Sequence, residues 1–305
     1  MNAEPLLIET AHGVIGSVVV TPVSPVQGGA VILPGVGSTR AGSNQMFVRM
    51  AEALATAGVA SLRFDYPGTG ESHLGLTTRW RETTAEVTEW FRTRCGTPRL
   101  LLIADCSGVV GAHREVMSGR GVAGVAMVRP AFPEPWPRPS SRRRLRTAAG
   151  RVKRLPGTAL LRLRHGRADP KIQGLWSKDD APLMARTGEL LVEISRRVPL
   201  WILTAVTDPA TPVLRGLQER LDAGVAYELE ILDGALSGGG SRPGVTEMAR
   251  STATWATRRL RERPLSEGPP AAGAGSMVAP GACSSPAQGN EVWAAAAPPP
   301  RGEAR

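Results

Sequence analysis

Histidine, cysteine and aromatic residues are all scarce in this chain. Four histidines and three cysteines occur among 305 residues, and Phe, Tyr and Trp together make up 4%. The cysteines, Cys95, Cys106 and Cys283, are far apart, with neither C-x-x-C spacing nor neighbouring histidines. That spacing excludes a disulfide framework and a zinc site, and nothing in the chain indicates a metal or an organic cofactor. No window approaches the ~18 uninterrupted apolar residues a membrane span needs. The opening MNAEPLLIETAHG lacks a basic region followed by an apolar stretch. A cytoplasmic protein without a membrane span is therefore expected.

Acidic residues are missing from one stretch in particular. Between Arg138 and Arg167 there are eleven Lys or Arg and no Asp or Glu, which accounts for the net charge of +10. The same stretch has no Phe, Tyr or Trp to stack on bases, so nucleic acid is excluded as the main partner. It reads as a solvated insertion or as a surface for an anionic ligand or acidic protein. The tail is different. From Pro264 to Arg305, 29 of 42 residues are Gly, Pro, Ala or Ser, a composition that cannot offset its own ordering entropy. A domain over 1–263 and a disordered tail over 264–305 are expected, with Cys283 and Trp293 of the tail outside the chemistry.

What is abundant is alternation. PLLIET and VIGSVVV read as a hairpin, and GGAVIL, VASLRF, RLLLIA, GVAGVAMV, VPLWILTAV and VAYELEIL as further strands. Between most of them lie amphipathic helical segments such as NQMFVRMAEALATAG and GVTEMARSTATWATRRLRER. Continuous apolar strands separated by helices predict an α/β fold, a mainly parallel sheet covered on both faces. In such sheets chemistry collects at the carboxyl ends of the strands. Four of these ends carry unusual sequences: PGVGSTRAG, DYPGTGES, ADCSG and TDPATP.

The order of these segments resembles the α/β-hydrolase superfamily. RAGSNQMFVRMAEALATAGVASLRFDYPGTGES is similar to its serine-aminopeptidase-like branch, which includes exosortase-associated hydrolases. The resemblance covers residues 5 to 262 and implies a lid at about 130–180, where the basic stretch falls. It also implies a nucleophile on the tight turn after the fifth strand, with small residues two before and two after it. Centring that pattern on Cys106 places Ala104 and Gly108 at the flanks, whereas centring it on Ser107 places Asp105 and Val109 there. Cys106 is the candidate nucleophile; the alternative is an inert thiol in an elbow that has lost its role.

By the same resemblance, the oxyanion donors are the N–H of Ser107 and those of the loop at Gly35 and Val36. The orienting carboxylate is Asp208, a position that also suits an ordinary helix N-cap. The general base is the departure. Its segment reads ILDGALSGGGSRPG, with Leu236 and Ser237 where an acid and histidine belong, and no histidine follows His165. His73 and His165 are the candidate replacements; His12 and His113 are expected to lie away from the site. The resemblance thus implies an esterase or thioesterase acting on a small-molecule acyl substrate. The alternative is a degenerate binding or accessory protein of the same fold, docking an acyl carrier protein through its basic lid.

Overall fold

The computed structural model describes residues 1–35, 37–72, 80–97, 99–130, 186–208, 210–220, 227–233 and 242–262. Val36, His73, His165, the basic stretch and the tail lie outside these residues, as does nearly all of the expected lid.

Sixteen described elements include eight strands. The first two, β1 (Asn2–Thr10) and β2 (Gly13–Thr21), form the hairpin expected from their alternating sequence, paired from Asn2 with Thr21 to Thr10 with Gly13. They are followed by β3 (Gly28–Leu33), α1 (Met46–Thr56), β4 (Val59–Phe64), α2 (Trp80–Cys95), β5 (Leu100–Asp105), α3 (Val109–Met117) and β6 (Val122–Val128). After the insertion come α4 (Thr187–Ser195), β7 (Leu200–Ala205), α5 (Thr211–Arg220), β8 (Tyr227–Leu232) and α6 (Arg242–Arg261).

All eight strands join one sheet in the order β1-β2-β4-β3-β5-β6-β7-β8. The first three neighbours pair as β1 with β2 and β2 with β4, both antiparallel, and every later pairing is parallel. The central strands are mostly apolar because both faces are covered. In β5, Leu100, Leu102 and Ala104 join the core beneath α2, α3 and α4, while Leu101 and Ile103 join the core beneath α1 and α6. This alternation follows from successive side chains pointing to opposite faces of a strand. Trp201 of β7 stacks on Trp255 of α6, with ring centroids 5.7 Å apart, and ties that helix to the sheet.

The sheet edges carry the polar positions. Glu228 and Glu230 of β8 bond Arg258 and Ser251 of α6, so this edge strand keeps charges that a central strand would exclude. No described helix is long and apolar enough to cross a membrane.

Candidate functional site

At the carboxyl edge of the sheet, β5 turns into α3 through a single 3-10 turn, Cys106–Gly108. Cys106 has φ +54, a left-handed conformation that a non-glycine residue adopts only under constraint. The constraint is packing. A Cβ placed on Gly108 would lie 2.5 Å from the Leu33 carbonyl oxygen, so α3 can start this close to β3 only because that residue is glycine. A Cβ on Gly35 would lie 3.0 Å from Cys106 Cβ, which puts the loop after β3 directly against the turn. Ala104 is fully buried. The small flanks expected around Cys106 thus sit where bulk has no room, and Gly35, Cys106 and Ser107 are brought together.

The thiol is not activated as its place beside a helix start suggests. Burial pushes the Cys106 pKa above its ordinary value, and the neighbouring Asp105 carboxylate pushes it further. The Ser107 backbone N–H and hydroxyl, both bonded to the sulfur, and the charge of Arg129 pull the other way without prevailing. Desolvation outweighs these donors at a mostly buried thiol.

Sequence reasoning missed the ion pair beside it. Asp105, the last residue of β5, is buried and receives Arg129 Nε and Nη2 at 3.0 and 2.8 Å on Oδ1, and Nη2 at 2.9 Å on Oδ2. Burial pushes the Asp105 carboxyl up to about 6, and Arg129 holds it from rising further. Arg129 follows β6 with φ +50, anchored by its N–H on the Leu203 carbonyl at 2.9 Å. A signal was available: a carboxylate closing an apolar strand needs a cation, and Arg129 is the first charge after the neighbouring strand.

A second cluster fixes the adjoining loops. The buried Asp65 carboxylate accepts the Arg40 N–H at 2.6 Å, the Glu71 N–H at 3.1 Å and the Arg40 guanidinium, which also reaches Glu71. Ser72 Oγ donates to the Asp65 carbonyl at 2.6 Å and accepts from Gly16 N–H at 2.9 Å. DYPGTGES is therefore bound to the loop after β3 through the Asp65 carboxylate, and to β2 through the Ser72 hydroxyl and the Asp65 N–H, which donates to the Gly16 carbonyl at 2.9 Å.

Asp208 lies just past β7, on the same sheet edge but two strands from β5. Its Oδ1 accepts the Ala210 N–H at 2.8 Å, and its carbonyl accepts the Thr211 N–H at 3.0 Å, so it caps α5. Among the described residues its Oδ2 has no hydrogen-bond partner. Neither described histidine approaches it: His12 Nε2 lies 3.5 Å from Glu86 in the hairpin region, and His113 Nε2 lies 2.6 Å from Glu193, linking α3 to α4. No group of three or more potential metal ligands occurs among the described residues.

With this geometry in view, the comparisons are informative about architecture. No protein-family model matches the sequence, and no curated protein matches it. Among solved structures it is similar to an esterase of Pyrococcus furiosus, at 14% identity and TM-score 0.60 over 85% of this chain and 90% of that one. It is also similar to Est1E of Butyrivibrio proteoclasticus, solved with ferulic acid bound, at 12% identity and TM-score 0.57 over 84% and 100% of the two chains. The chain has the α/β-hydrolase fold. A proline iminopeptidase of Mycobacterium smegmatis shares it at 14% identity and TM-score 0.51, over 84% of this chain and 99% of that one. The α/β-hydrolase fold therefore carries both ester and peptide chemistry among these relatives, and the likeness does not select a branch or a reaction.

Proposed function

We propose that the protein is an acyl-transfer hydrolase of esterase or thioesterase type, with Cys106 as its nucleophile. The observation that carries this reading is the φ of +54 at Cys106, held between Gly35 and Gly108 on the turn where this fold presents its reactive residue. Strain of about 1–3 kcal/mol at a non-glycine residue is retained where the surrounding structure imposes it. In the reaction, the Cys106 sulfur attacks the acyl carbonyl carbon and the carbonyl oxygen takes the negative charge. The Ser107 N–H and an N–H of the loop at Gly35 and Val36 hold that oxygen. The intermediate collapses to an acyl-cysteine as the alcohol or thiol leaves with a proton, and water then releases the carboxylic acid.

The proton carrier is His73 or His165, with Asp208 orienting it through the oxygen that does not cap α5. A base is required because the thiol pKa is raised, leaving less thiolate at neutral pH than an ordinary cysteine has. That same shift favours a second reading, a degenerate protein that binds an acyl group or an acyl carrier protein without turnover. The two separate on p-nitrophenyl esters and acyl thioesters, assayed with wild type, Cys106→Ala and Ser107→Ala. Turnover lost by at least 10²-fold in Cys106→Ala supports the first reading. No turnover by wild type, with saturable binding of the acyl thioester, supports the second.

A further inference from the structure

One groove in the described part of the molecule lies away from the elbow. It measures about 920 Å³ and runs between α1 and α6, over a floor that includes Ala53, Ala57 and Ala253. Its lining carries four arginines, Arg49, Arg250, Arg258 and Arg261, beside Glu52 and Glu262. The first three have partners: Arg49 meets Glu52 at 3.0 Å, Arg250 meets Glu247 at 3.4 Å, and Arg258 meets Glu228. Arg261 takes part in no ion pair among the described residues. It stands at the carboxyl end of α6, next to Glu262, where the tail leaves the fold and which itself lines the groove.

The tail supplies an occupant. Its only aromatic residue is Trp293, in the run Glu291, Val292, Trp293 and four alanines ending at Ala297. Elsewhere the tail is mostly Gly, Pro, Ala and Ser, so this run is where its aromatic side chain and an acid stand together. Some thirty residues separate Glu262 from Val292, and a random-coil chain of that length would span about 30 Å by the usual square-root scaling, which sets the reach available. The 11-residue α1 is about 16 Å long at 1.5 Å per residue, so the whole groove is within reach. Tethering at this range gives an effective concentration of about 1 mM, enough for a weak contact to be mostly closed.

We propose that residues 291–297 bind in cis in the groove between α1 and α6, with Trp293 on the alanine floor and Glu291 at Arg261. Burying one tryptophan removes ~150–250 Å² from water, and small floor residues let an indole lie flat against two helices. The inference is independent of the reaction at Cys106.

Elastase digestion of the full-length chain tests it, because the tail carries its own control. Cleavage after Ala294 to Ala296 is expected to be about tenfold slower than after Ala271 to Ala274, since cleavage tracks the open population. Trp293→Ala is expected to abolish the difference, and Arg261→Glu to reduce it. Equal cleavage at both places in wild type overturns the proposal. Protection that survives both Trp293→Ala and Arg261→Glu also overturns it, because the run is then held elsewhere.

Discussion

At Cys106 two effects compete, and their sizes decide what the residue does unaided. Burial and the Asp105 carboxylate favour the neutral thiol; the Ser107 donors and Arg129 favour the thiolate and lose. Replacing Asp105 by Asn removes a negative neighbour, so Asp105→Asn is expected to alkylate faster than wild type with iodoacetamide at pH 7.5, read at Cys106 by mass spectrometry. Slower alkylation would show that the ion pair holds the turn open rather than tuning it. Asp105 also leaves a mark on stability. Its carboxyl is held at about 6 in the fold against ~3.9 in an unfolded chain, so between these values the folded state binds the extra proton. Stability from this group is therefore greatest below about pH 4 and falls as pH rises to about 6, by at most about 3 kcal/mol. Denaturant titrations at pH 4.5, 5.5 and 6.5 are expected to show this slope in wild type and to lack it in Asp105→Asn. Identical slopes would contradict the assignment.

Among the elements, the strand-to-helix join of β5 and α3 was legible in the sequence, and its energetics were not. Steric reasoning on Ala104 and Gly108 located the turn because a rule about bulk needs only residue sizes. The ion pair of Asp105 with Arg129 needed the register of β5 on β6, which sets Asp105 opposite Val128, and residue sizes do not give that register. Asp208 shows the opposite difficulty: a helix cap and the proposed orienting role share one position, and only the partner of each oxygen tells them apart. Two substitutions test these elements. Gly108→Ala forces a Cβ against the Leu33 carbonyl and is expected to cost about 1–3 kcal/mol in denaturant unfolding, the range of overpacked sites. On the far part of α3, Glu115 is buried, and among the described residues both its oxygens lack a hydrogen-bond partner, with Arg120 at 3.9 Å. Burial pushes its carboxyl up, and Glu115→Met is expected to leave Tm unchanged or raise it. A clear fall in Tm would mean the carboxylate has a stabilising partner.

Over the whole molecule, periodicity fixed the class of fold, since mostly apolar central strands between amphipathic helices leave few arrangements open. The strand order was not readable, because the crossing of β4 between β2 and β3 depends on which edge each connection takes. The parallel sheet then carries four loops to one edge, and Asp65 binds two of them together. The central claim concerns Cys106 at that edge, and the most direct measurement is intact-mass analysis after rapid mixing with an acyl thioester. Wild type is expected to gain one acyl group that maps to Cys106 and then decays with release of the acid. Cys106→Ala is expected to gain none, and Ser107→Ala is expected to gain it more slowly. An acyl group on Ser107, or hydrolysis undiminished in Cys106→Ala, would contradict the account.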